Sequence, residues 1–324
     1  MVRSIKRNIL ISSAGRRVEL IEIWKKEAKK YLGDDVIVYA NDINPSLSAA
    51  CNVADYSFQI CKVSDDNYIE NLIRECISKN IGIVIPTIDT ELEKLSKYRN
   101  VFQKEGINII ISDLDIVKIC RNKRITGKFF KTLGIDSPEI FNNNNLKFPL
   151  FLKPYNGSSS VGLKIIKNDS QLSKDDINNS ENIFQRLIPN DWDEYSADLF
   201  YKKDGNLNCC VTRLRISTVG GEINKGITKK NNIYNFLVNK LKFIKGARGP
   251  LTLQIFSNAK ENKILAIELN ARFGGGYPMS YACGANYPRM IIKEYLLNEN
   301  INFEEEWDSE KLFLRHDKTI CVEN

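Results

Sequence analysis

Short apolar runs alternate with amphipathic segments along the first third of the chain. The apolar runs lie at 8–12, 36–39, 81–85 and 107–111. The segments between them place apolar residues at helical spacing, most clearly at 20–31 and 65–79. Strands that are apolar on both faces are typical of a parallel sheet covered by helices on both sides. We therefore predict an α/β domain with a Rossmann-like parallel sheet, ending near residue 112.

From residue 113 the pattern changes to a mixture of helices and antiparallel strands. Two short helical stretches end at Gly134, a typical helix stop. The remaining elements are predicted as strands at 148–154 and 161–167, strand and turn alternation over 183–214, a helix at 231–245, a hairpin of 251–256 with 263–269, and a helix at 288–297. This part of the chain is predicted to be α+β.

Composition excludes several chemistries. The 324 residues carry a net charge of +7, but basic and acidic residues are interspersed without a long Lys/Arg run, which disfavours a nucleic-acid binder. The one histidine, His316, leaves no Ser-His-Asp or Cys-His system and no histidine-built zinc site. Any chemistry must therefore rely on Lys, Arg, carboxylates, amides and backbone groups.

The eight cysteines form no CxxC pair, and most lie in apolar stretches, so we expect them to be reduced and buried. The first apolar run is too short for a signal peptide, and no run approaches the roughly 20 residues of a membrane span. We expect a cytoplasmic protein with no membrane partner.

The hairpin places oxygen-bearing side chains on one face. Glu268 and Asn270 point the same way on their strand, and a turn centred on Glu261 sets Gln254 opposite Glu268. Hard oxygen ligands without Cys or His suit Mg²⁺ or Mn²⁺. The alternative is an exposed face of an edge hairpin, where such residues are ordinary.

Two further segments carry cations suited to phosphate. Lys153 ends a very apolar strand and precedes a Gly/Ser loop at 156–162, which could offer N–H and hydroxyl donors. It is not a P-loop, because no GK[ST] occurs. Arg272 lies two residues beyond Asn270 and is placed to stabilise a transferring phosphoryl group. The alternatives are a plain hairpin turn with a surface lysine, and an arginine that forms a salt bridge.

The first strand joins the first helix through Ser12–Arg17, a junction that can bind an anion but lacks GxGxxG, so a nicotinamide site is not expected. Switch-point ends of parallel strands commonly bind ligands. Substrate contacts by Arg16, Asp42, Asp89 or Glu91 are one hypothesis. Helix capping is the alternative, and we favour it for Asp89.

These residues occur in an order that resembles the ATP-grasp superfamily, and within it the bacterial carbamoyl-phosphate-synthase-like proteins with a single ATP-grasp unit. The likeness covers essentially the whole chain, including ILISSAGRRVEL, PTIDTELEKL, IELNARFGGG and FLRHDKTICV. The resemblance implies a pre-ATP-grasp domain at 1–112, a small subdomain with a phosphate lid at 113–188 and a large subdomain with a metal site at 189–324.

The resemblance also implies roles for individual residues. Lys123 and Lys153 would hold the ATP phosphates, and Glu194 would bind the ribose. Arg272, Lys153 and Arg213 would be catalytic, with Arg215 and Lys225 as further contacts. Mg²⁺ (or Mn²⁺) would be held by Gln254, Glu268 and Asn270, with Gln254 in a position that is often Glu. The lid residues would be Gly157, Ser158, Ser159, Ser160, Val161 and Gly162, and the adenine hinge would be Gln185, Arg186, Leu187 and Ile188.

The function implied is an ATP-dependent carboxylate–amine ligase that activates a small-molecule carboxylate as an acyl phosphate for attack by an amine or ammonia. A homodimer is left open. The alternatives are a carbamoyl phosphate synthase large-subunit fragment, which would need a partner because this chain holds one ATP-grasp unit, and a non-catalytic nucleotide-binding module.

Overall fold

The computed structural model describes residues 6–157 and 162–322. The first sheet is parallel, with strand order β3-β2-β1-β4-β5. Its strands and the helices that cover it are β1 (Asn8–Ser12), α1 (Val18–Leu32), β2 (Val38–Asp42), α2 (Ala49–Val53), β3 (Tyr56–Gln59), α3 (Tyr68–Ser78), β4 (Ile81–Pro86), α4 (Asp89–Lys104) and β5 (Asn108–Ile109). All of β4 is buried, because helices pack on both faces of the sheet. The predicted parallel α/β domain is confirmed.

A small antiparallel sheet follows, with strand order β6-β9-β7-β8. The elements of this region are α5 (Leu114–Arg121), α6 (Lys123–Thr132), β6 (Ile140–Phe141), β7 (Leu150–Pro154), β8 (Lys164–Ile166), α7 (Lys174–Asn178) and β9 (Asn182–Arg186). It has a core of its own, formed by Phe141, Leu150, Leu152, Ile166 and Phe184.

A larger antiparallel sheet completes the fold, with strand order β14-β13-β10-β11-β12-β15. Its elements are β10 (Asp193–Tyr201), β11 (Leu207–Val219), β12 (Glu222–Thr228), α8 (Asn232–Lys240), β13 (Gly249–Asn258), β14 (Lys263–Asn270), α9 (Tyr277–Ala282), α10 (Tyr287–Tyr295) and β15 (Leu312–Leu314). The predicted α+β architecture is confirmed. The domain boundaries after residues 112 and 188 stay predictions; each falls between two sheets.

The first and last parts of the chain share one hydrophobic core. Helix α1 packs on α10, and Glu27 of α1 is buried at this contact. Its carboxylate accepts hydrogen bonds from the Tyr281 hydroxyl and from Asn286 Nδ2. This joint fixes how the parallel sheet sits against the large antiparallel sheet, so both can contribute to one site.

Several predicted bounds differ from the structure. The second strand begins at Val38, because residues 34 and 35 form a turn. Of the apolar run 107–111, only Asn108–Ile109 pairs with β4, although the neighbouring isoleucines are buried. The helix predicted at 231–245 ends at Lys240. Among the described residues, every helix is too short or too polar to span a lipid bilayer.

Candidate active site

A cleft of about 380 Å³ opens between the small and the large antiparallel sheet. It is lined by polar side chains from β7, β10, β11, β13 and β14, and by the glycine run 274–276. The predicted site residues that line it are Lys123, Lys153, Gly157, Glu194, Arg213, Gln254, Glu268, Asn270 and Arg272. Residues distant in sequence therefore meet in one cleft, and their individual roles stay predictions.

The hairpin of β13 and β14 carries the predicted metal face. Gln254 pairs with Glu268 across the ladder, as predicted. The turn is centred half a residue before Glu261, because Asn258 pairs with Lys263, and a β-bulge at Ile267 restores the register at the site. Strand alternation alone would place Ile267 on the face opposite Glu268, but the bulge turns it into the cleft beside Glu268.

Two lysines lie close to Glu268. Lys123 Nζ is 3.6 Å from Glu268 Oε1 and donates a hydrogen bond of 2.5 Å to the carbonyl oxygen of Gly157. Lys153 is buried. Burial, reinforced by the charge of Lys123, lowers the pKa of Lys153 to about 8, and Glu268 opposes that change. A buried ammonium next to a second cation is stabilised when an anionic ligand binds there.

Arg272 reaches out of the cleft to the parallel sheet. Its Nε and one terminal nitrogen each lie 2.9 Å from an oxygen of Asp89, at the start of α4, in a bidentate ion pair. Burial acts to lower the pKa of Arg272, but the adjacent carboxylate of Asp89 acts against burial, and the pKa is raised. Asp89 is thus an ion-pair partner that holds the guanidinium at the cleft and joins two sheets.

We expect Asp89→Asn to lower the free energy of unfolding by about 3 kcal/mol, because it leaves a largely buried guanidinium without its counter-charge. The side chains of Asp89 and Arg272 are 10% and 15% exposed. Urea unfolding monitored by circular dichroism measures the change. The control is Asp35→Asn, which breaks the exposed Arg7–Asp35 pair and should change stability little. Equal effects of the two variants would contradict the prediction.

Two arginines of β11 are held by carboxylates. Arg213 is fully buried and bonds to Asp198 Oδ2 at 2.5 Å and to the Ser280 hydroxyl. Arg215 bonds to Glu194 Oε1 at 2.7 Å. Burial raises the pKa of Glu194, and Arg215 opposes this. The ion pair with Asp198 fixes the guanidinium of Arg213 at the back of the cleft. A catalytic role for Arg213 stays a prediction.

Comparisons with known proteins agree with this geometry. Residues 9–110 match the family model of a PylC-like N-terminal domain, and residues 184–311 match that of an ATP-grasp domain in the biosynthetic pathway with the Ter operon. The second match includes the strands that carry Glu194, Gln254 and Glu268. The chain is an ATP-grasp protein. The resemblance seen in the sequence is confirmed.

Solved ATP-grasp structures superpose over most of the chain. The biotin carboxylase domain of 2-oxoglutarate carboxylase from Hydrogenobacter thermophilus, solved with MgADP and bicarbonate, has a TM-score of 0.70 and 15% identity over 94% of this chain and 72% of that chain. The L-amino acid ligase from Bacillus licheniformis has a TM-score of 0.66 and 17% identity over 89% of this chain and 74% of that chain. At these identities the likeness shows the fold.

A curated relative is similar in sequence. The 3-methyl-D-ornithine–L-lysine ligase of Methanosarcina mazei is 29% identical over 171 residues, which cover 53% of this chain and 41% of the relative. The chain thus spans less than half the length of that relative.

In this ATP-grasp chain, both ends of the predicted lid pack on Pro154. A Cβ at Gly157 would lie 3.2 Å from Pro154 Cβ, and one at Gly162 would lie 3.3 Å from Pro154 Cγ. Gly162 also has a φ of +74°, which favours glycine. The predicted lid residues between them, Ser158, Ser159, Ser160 and Val161, lie outside the described residues.

The predicted hinge lies at the end of β9. Gln185 is buried and donates through Nε2 to the carbonyl oxygen of Pro138 at 3.3 Å. The N–H of Arg186 donates to the carbonyl oxygen of Glu139, so this donor is already used within the ATP-grasp fold. Leu187 and Ile188 follow the strand and are half-buried. Their pairing with the adenine base stays a prediction.

The residues suggested at the first strand–helix junction have different surroundings. Glu91 is buried and accepts hydrogen bonds from Ser12, Ser13, Tyr68 and the Thr87 N–H, while burial raises its pKa. It therefore ties the junction to the sheet. Asp42 accepts from the Gly15 N–H, and Arg16 is exposed to solvent.

Sequence reasoning missed some residues of the ATP-grasp cleft. Phe151, Phe256 and Ile267 form apolar walls, but in the sequence they read as ordinary strand residues. Glu222 lines the cleft where a Cβ at Gly275 would lie 2.5 Å from its carboxylate. The sequence shows that the glycine run allows another part of the chain to approach closely, but it does not show that the approaching side chain is Glu222.

A second groove, of about 460 Å³, lies between α3 and α4 and is lined by residues such as Ile69, Ile73 and Tyr98.

Proposed function

We propose that this ATP-grasp chain is an ATP- and Mg²⁺-dependent ligase that phosphorylates a small-molecule carboxylate and joins it to an amine or ammonia. The observation that supports the proposal most is the meeting of Lys123, Lys153, Arg272 and the oxygen face of Gln254, Glu268 and Asn270 at one cleft. This provides cations around an oxygen-rich face, as phosphoryl transfer requires.

The donor set fits a hard divalent cation. Glu268 offers a carboxylate, and Gln254 and Asn270 each offer an amide oxygen on the same wall. These three residues would hold Mg²⁺. When bound, the ion supplies positive charge next to the phosphate oxygens. Because two of the three ligands are neutral, we propose that one of the metal positions is weak.

The cations of the cleft would bind and orient the nucleotide. Lys123 and Lys153 would balance the charge of the phosphates, and a phosphate beside Lys153 would favour its ammonium form. Arg272, fixed by Asp89, would face the transferring phosphoryl group and the acyl phosphate. The loop from Gly157 to Gly162 would cover the phosphates and exclude water from the acyl phosphate.

The base and ribose would lie at the other end of the cleft. We propose that the adenine packs between the apolar walls formed by Phe151, Phe256 and Ile267, next to Leu187 and Ile188. Glu194 would accept from the ribose hydroxyls, with Arg215 orienting its carboxylate through their contact of 2.7 Å. The name of the curated relative, a ligase of 3-methyl-D-ornithine and L-lysine, supports amide formation as the reaction.

Hydroxylamine trapping tests the activity without knowledge of the amine. The protein is incubated with ATP, Mg²⁺, hydroxylamine and a panel of amino acids and small carboxylates, and hydroxamate and phosphate are measured. We expect ATP-dependent hydroxamate with one class of carboxylate, and its loss when EDTA removes the metal. Carboxylate-independent phosphate release alone would contradict the ligase.

The same assay separates the alternatives. A non-catalytic module would show a rise in melting temperature with ATP and Mg²⁺ but no hydroxamate or phosphate. A carbamoyl phosphate synthase fragment would release phosphate with bicarbonate in place of an organic acid. The absence of both turnover and a nucleotide-dependent shift in melting temperature would overturn the proposed function.

A further inference from the structure

A second cluster of charges adjoins Arg272 on the side of the parallel sheet. It contains three arginines and two carboxylates, which are Arg17, Arg272, Arg315, Asp89 and Glu222. Arg272 pairs with Asp89 at 2.9 Å, and Arg315 pairs with Glu222 at 2.9 Å. Each carboxylate is thus already matched with one guanidinium, and the cluster keeps one excess positive charge.

The excess charge belongs to Arg17. Among the described residues, its guanidinium makes no ion pair within 4.0 Å and no hydrogen bond, although it is half-buried. Its strongest electrostatic neighbours are Arg272, Glu222, Asp89 and Arg315. Burial, and then the charge of Arg272, lowers the pKa of Arg17. A half-buried guanidinium among other guanidinium groups is costly unless an anion binds there.

The backbone that carries Arg17 is held in place. The N–H of Arg17 donates to the carbonyl oxygen of Ala14 at 2.9 Å, and its carbonyl oxygen accepts from Ile21 of α1. Ser12 and Ser13, which precede it, are tied to the buried carboxylate of Glu91 at 2.8 and 3.1 Å. Arg17 is therefore presented from a fixed junction at the carboxyl end of β1, next to the start of α4.

The walls of the cluster lead directly into the cleft. Glu222 and Arg272 both line the cleft, and the electrostatic neighbours of Arg272 include both Glu268 and Glu222. Burial acts to raise the pKa of Glu222, but the charges of three arginines hold it below its ordinary value: Arg315, Arg17 and Arg272. The Glu222 carboxylate therefore stays ionised. A ligand next to Arg272 thus meets Arg17 together with a fixed negative charge.

We propose that Arg17 binds a free carboxylate of the amine substrate, so that the amine partner of this ligase is an amino acid. The inference rests on the proposed function and specifies its second substrate. The reacting carboxylate must lie beside the phosphate, near Glu268 and Arg272. Arg17 is an electrostatic neighbour of Arg272 but is not among the residues that line the cleft beside Glu268, so a carboxylate held by Arg17 is one that does not react, and it is assigned to the amine substrate. Glu222 provides the negative charge that a protonated amino group meets on entry.

The test compares nucleophiles with and without a carboxylate. Wild type and Arg17→Gln are assayed with ATP, Mg²⁺ and the acid found by hydroxylamine trapping. The nucleophiles are the proteinogenic amino acids in both configurations, their decarboxylated amines, and hydroxylamine. We expect the wild type to prefer an amino acid over its decarboxylated amine, and Arg17→Gln to raise KM for that amino acid by about 30-fold, with hydroxylamine turnover unchanged. Arg17→Lys, which keeps the charge but not the two-pronged donor, should lie between them.

Matched variants make the result decisive. Arg74→Gln, on the exposed surface of α3, should leave both nucleophiles unaffected. The assignment would be overturned if Arg16→Gln lost the preference for the amino acid over its decarboxylated amine while Arg17→Gln kept it. An equal fall in hydroxylamine and amino-acid turnover would also overturn it, because Arg17 would then act on the nucleotide or the acyl phosphate. A wild type that uses decarboxylated amines equally well would show that no such carboxylate is bound. Failure of the proposed function itself differs from these, since no hydroxamate would form with wild type.

Discussion

Replacing Glu268 by glutamine is expected to lower ATP-dependent hydroxamate formation by about 1000-fold. Glu268 is the one carboxylate in the predicted ligand set, so the variant leaves only neutral amide oxygens on that wall. Charge stabilisation of several kcal/mol is lost with such a ligand, and each 1.4 kcal/mol corresponds to about tenfold in rate. The variant also removes the negative charge that lies 3.6 Å from Lys123 Nζ.

Hydroxamate formation is measured across a Mg²⁺ titration. For Glu268→Gln we expect a higher Mg²⁺ midpoint and a lower plateau. The control is Glu261→Gln at the exposed tip of the same hairpin, where Glu261 pairs with Lys263 at 2.6 Å. That variant should behave as wild type. If Glu268→Gln kept the wild-type Mg²⁺ dependence, the metal face would be wrongly assigned.

Replacing Lys153 by methionine is expected to have opposite effects on stability and on nucleotide binding. The pKa of Lys153 is about 8 in the folded protein, against 10.5 for an ordinary lysine. The unfolded chain therefore binds more protons between these values, and stability rises with pH across this window and is lowest below it. This difference in pKa lowers the free energy of unfolding by about 3 kcal/mol at neutral pH. Lys153→Met removes this destabilisation. The nucleotide-free variant should thus be more stable than wild type.

The same variant should lose the stabilisation that ATP and Mg²⁺ give to wild type, because the phosphates lose a buried cation. Melting temperatures with and without nucleotide, measured between pH 7 and pH 10, test both effects. In wild type the nucleotide-dependent shift should shrink above about pH 8, and in Lys153→Met it should be small throughout. Lys167→Met, an exposed lysine after β8, is the control. A full nucleotide shift in Lys153→Met would place the phosphates elsewhere.

Much of the fold follows from local patterns. β1 was predicted with its observed bounds, and the parallel sheet followed from strands that are apolar on both faces. Such predictions succeed because burial on two sides leaves a continuous apolar run in the sequence. The edge elements were harder. β5 shortens to two residues and β15 pairs at the rim of the large sheet, because pairing at an edge depends on which backbone groups face a neighbour rather than on apolar pattern.

The pairing of Gln254 with Glu268 was predicted from a turn centre that is wrong by half a residue. The bulge at Ile267 compensates for the difference. An extra residue in one strand leaves no clear mark in a period-two pattern, since Ile267 is as apolar as a core residue. The prediction thus identified the correct pair but missed the bulge that sets its register.

Two contacts of the parallel sheet with the rest of the chain were not predicted. The sequence suggested helix capping for Asp89, whereas its carboxylate pairs with Arg272, 183 residues away in the sequence. Of two adjacent arginines, Arg16 was suggested for the substrate, yet Arg16 is exposed and Arg17 joins the charge cluster. Two neighbouring residues at a junction differ in the direction of their side chains, and that direction depends on how the junction packs in the folded chain.

The bulge at Ile267 lies apart from the exposed tip at 259–262, because the pairs from Asn258–Lys263 to Ile255–Ala266 stand between them. The tip can therefore gain residues or carry a fluorescent label without rotating the ligand face. Deleting Ile267 alone would remove the bulge and leave a regular ladder in which Glu268 still faces Gln254, so that variant would isolate what the extra residue contributes to the cleft wall.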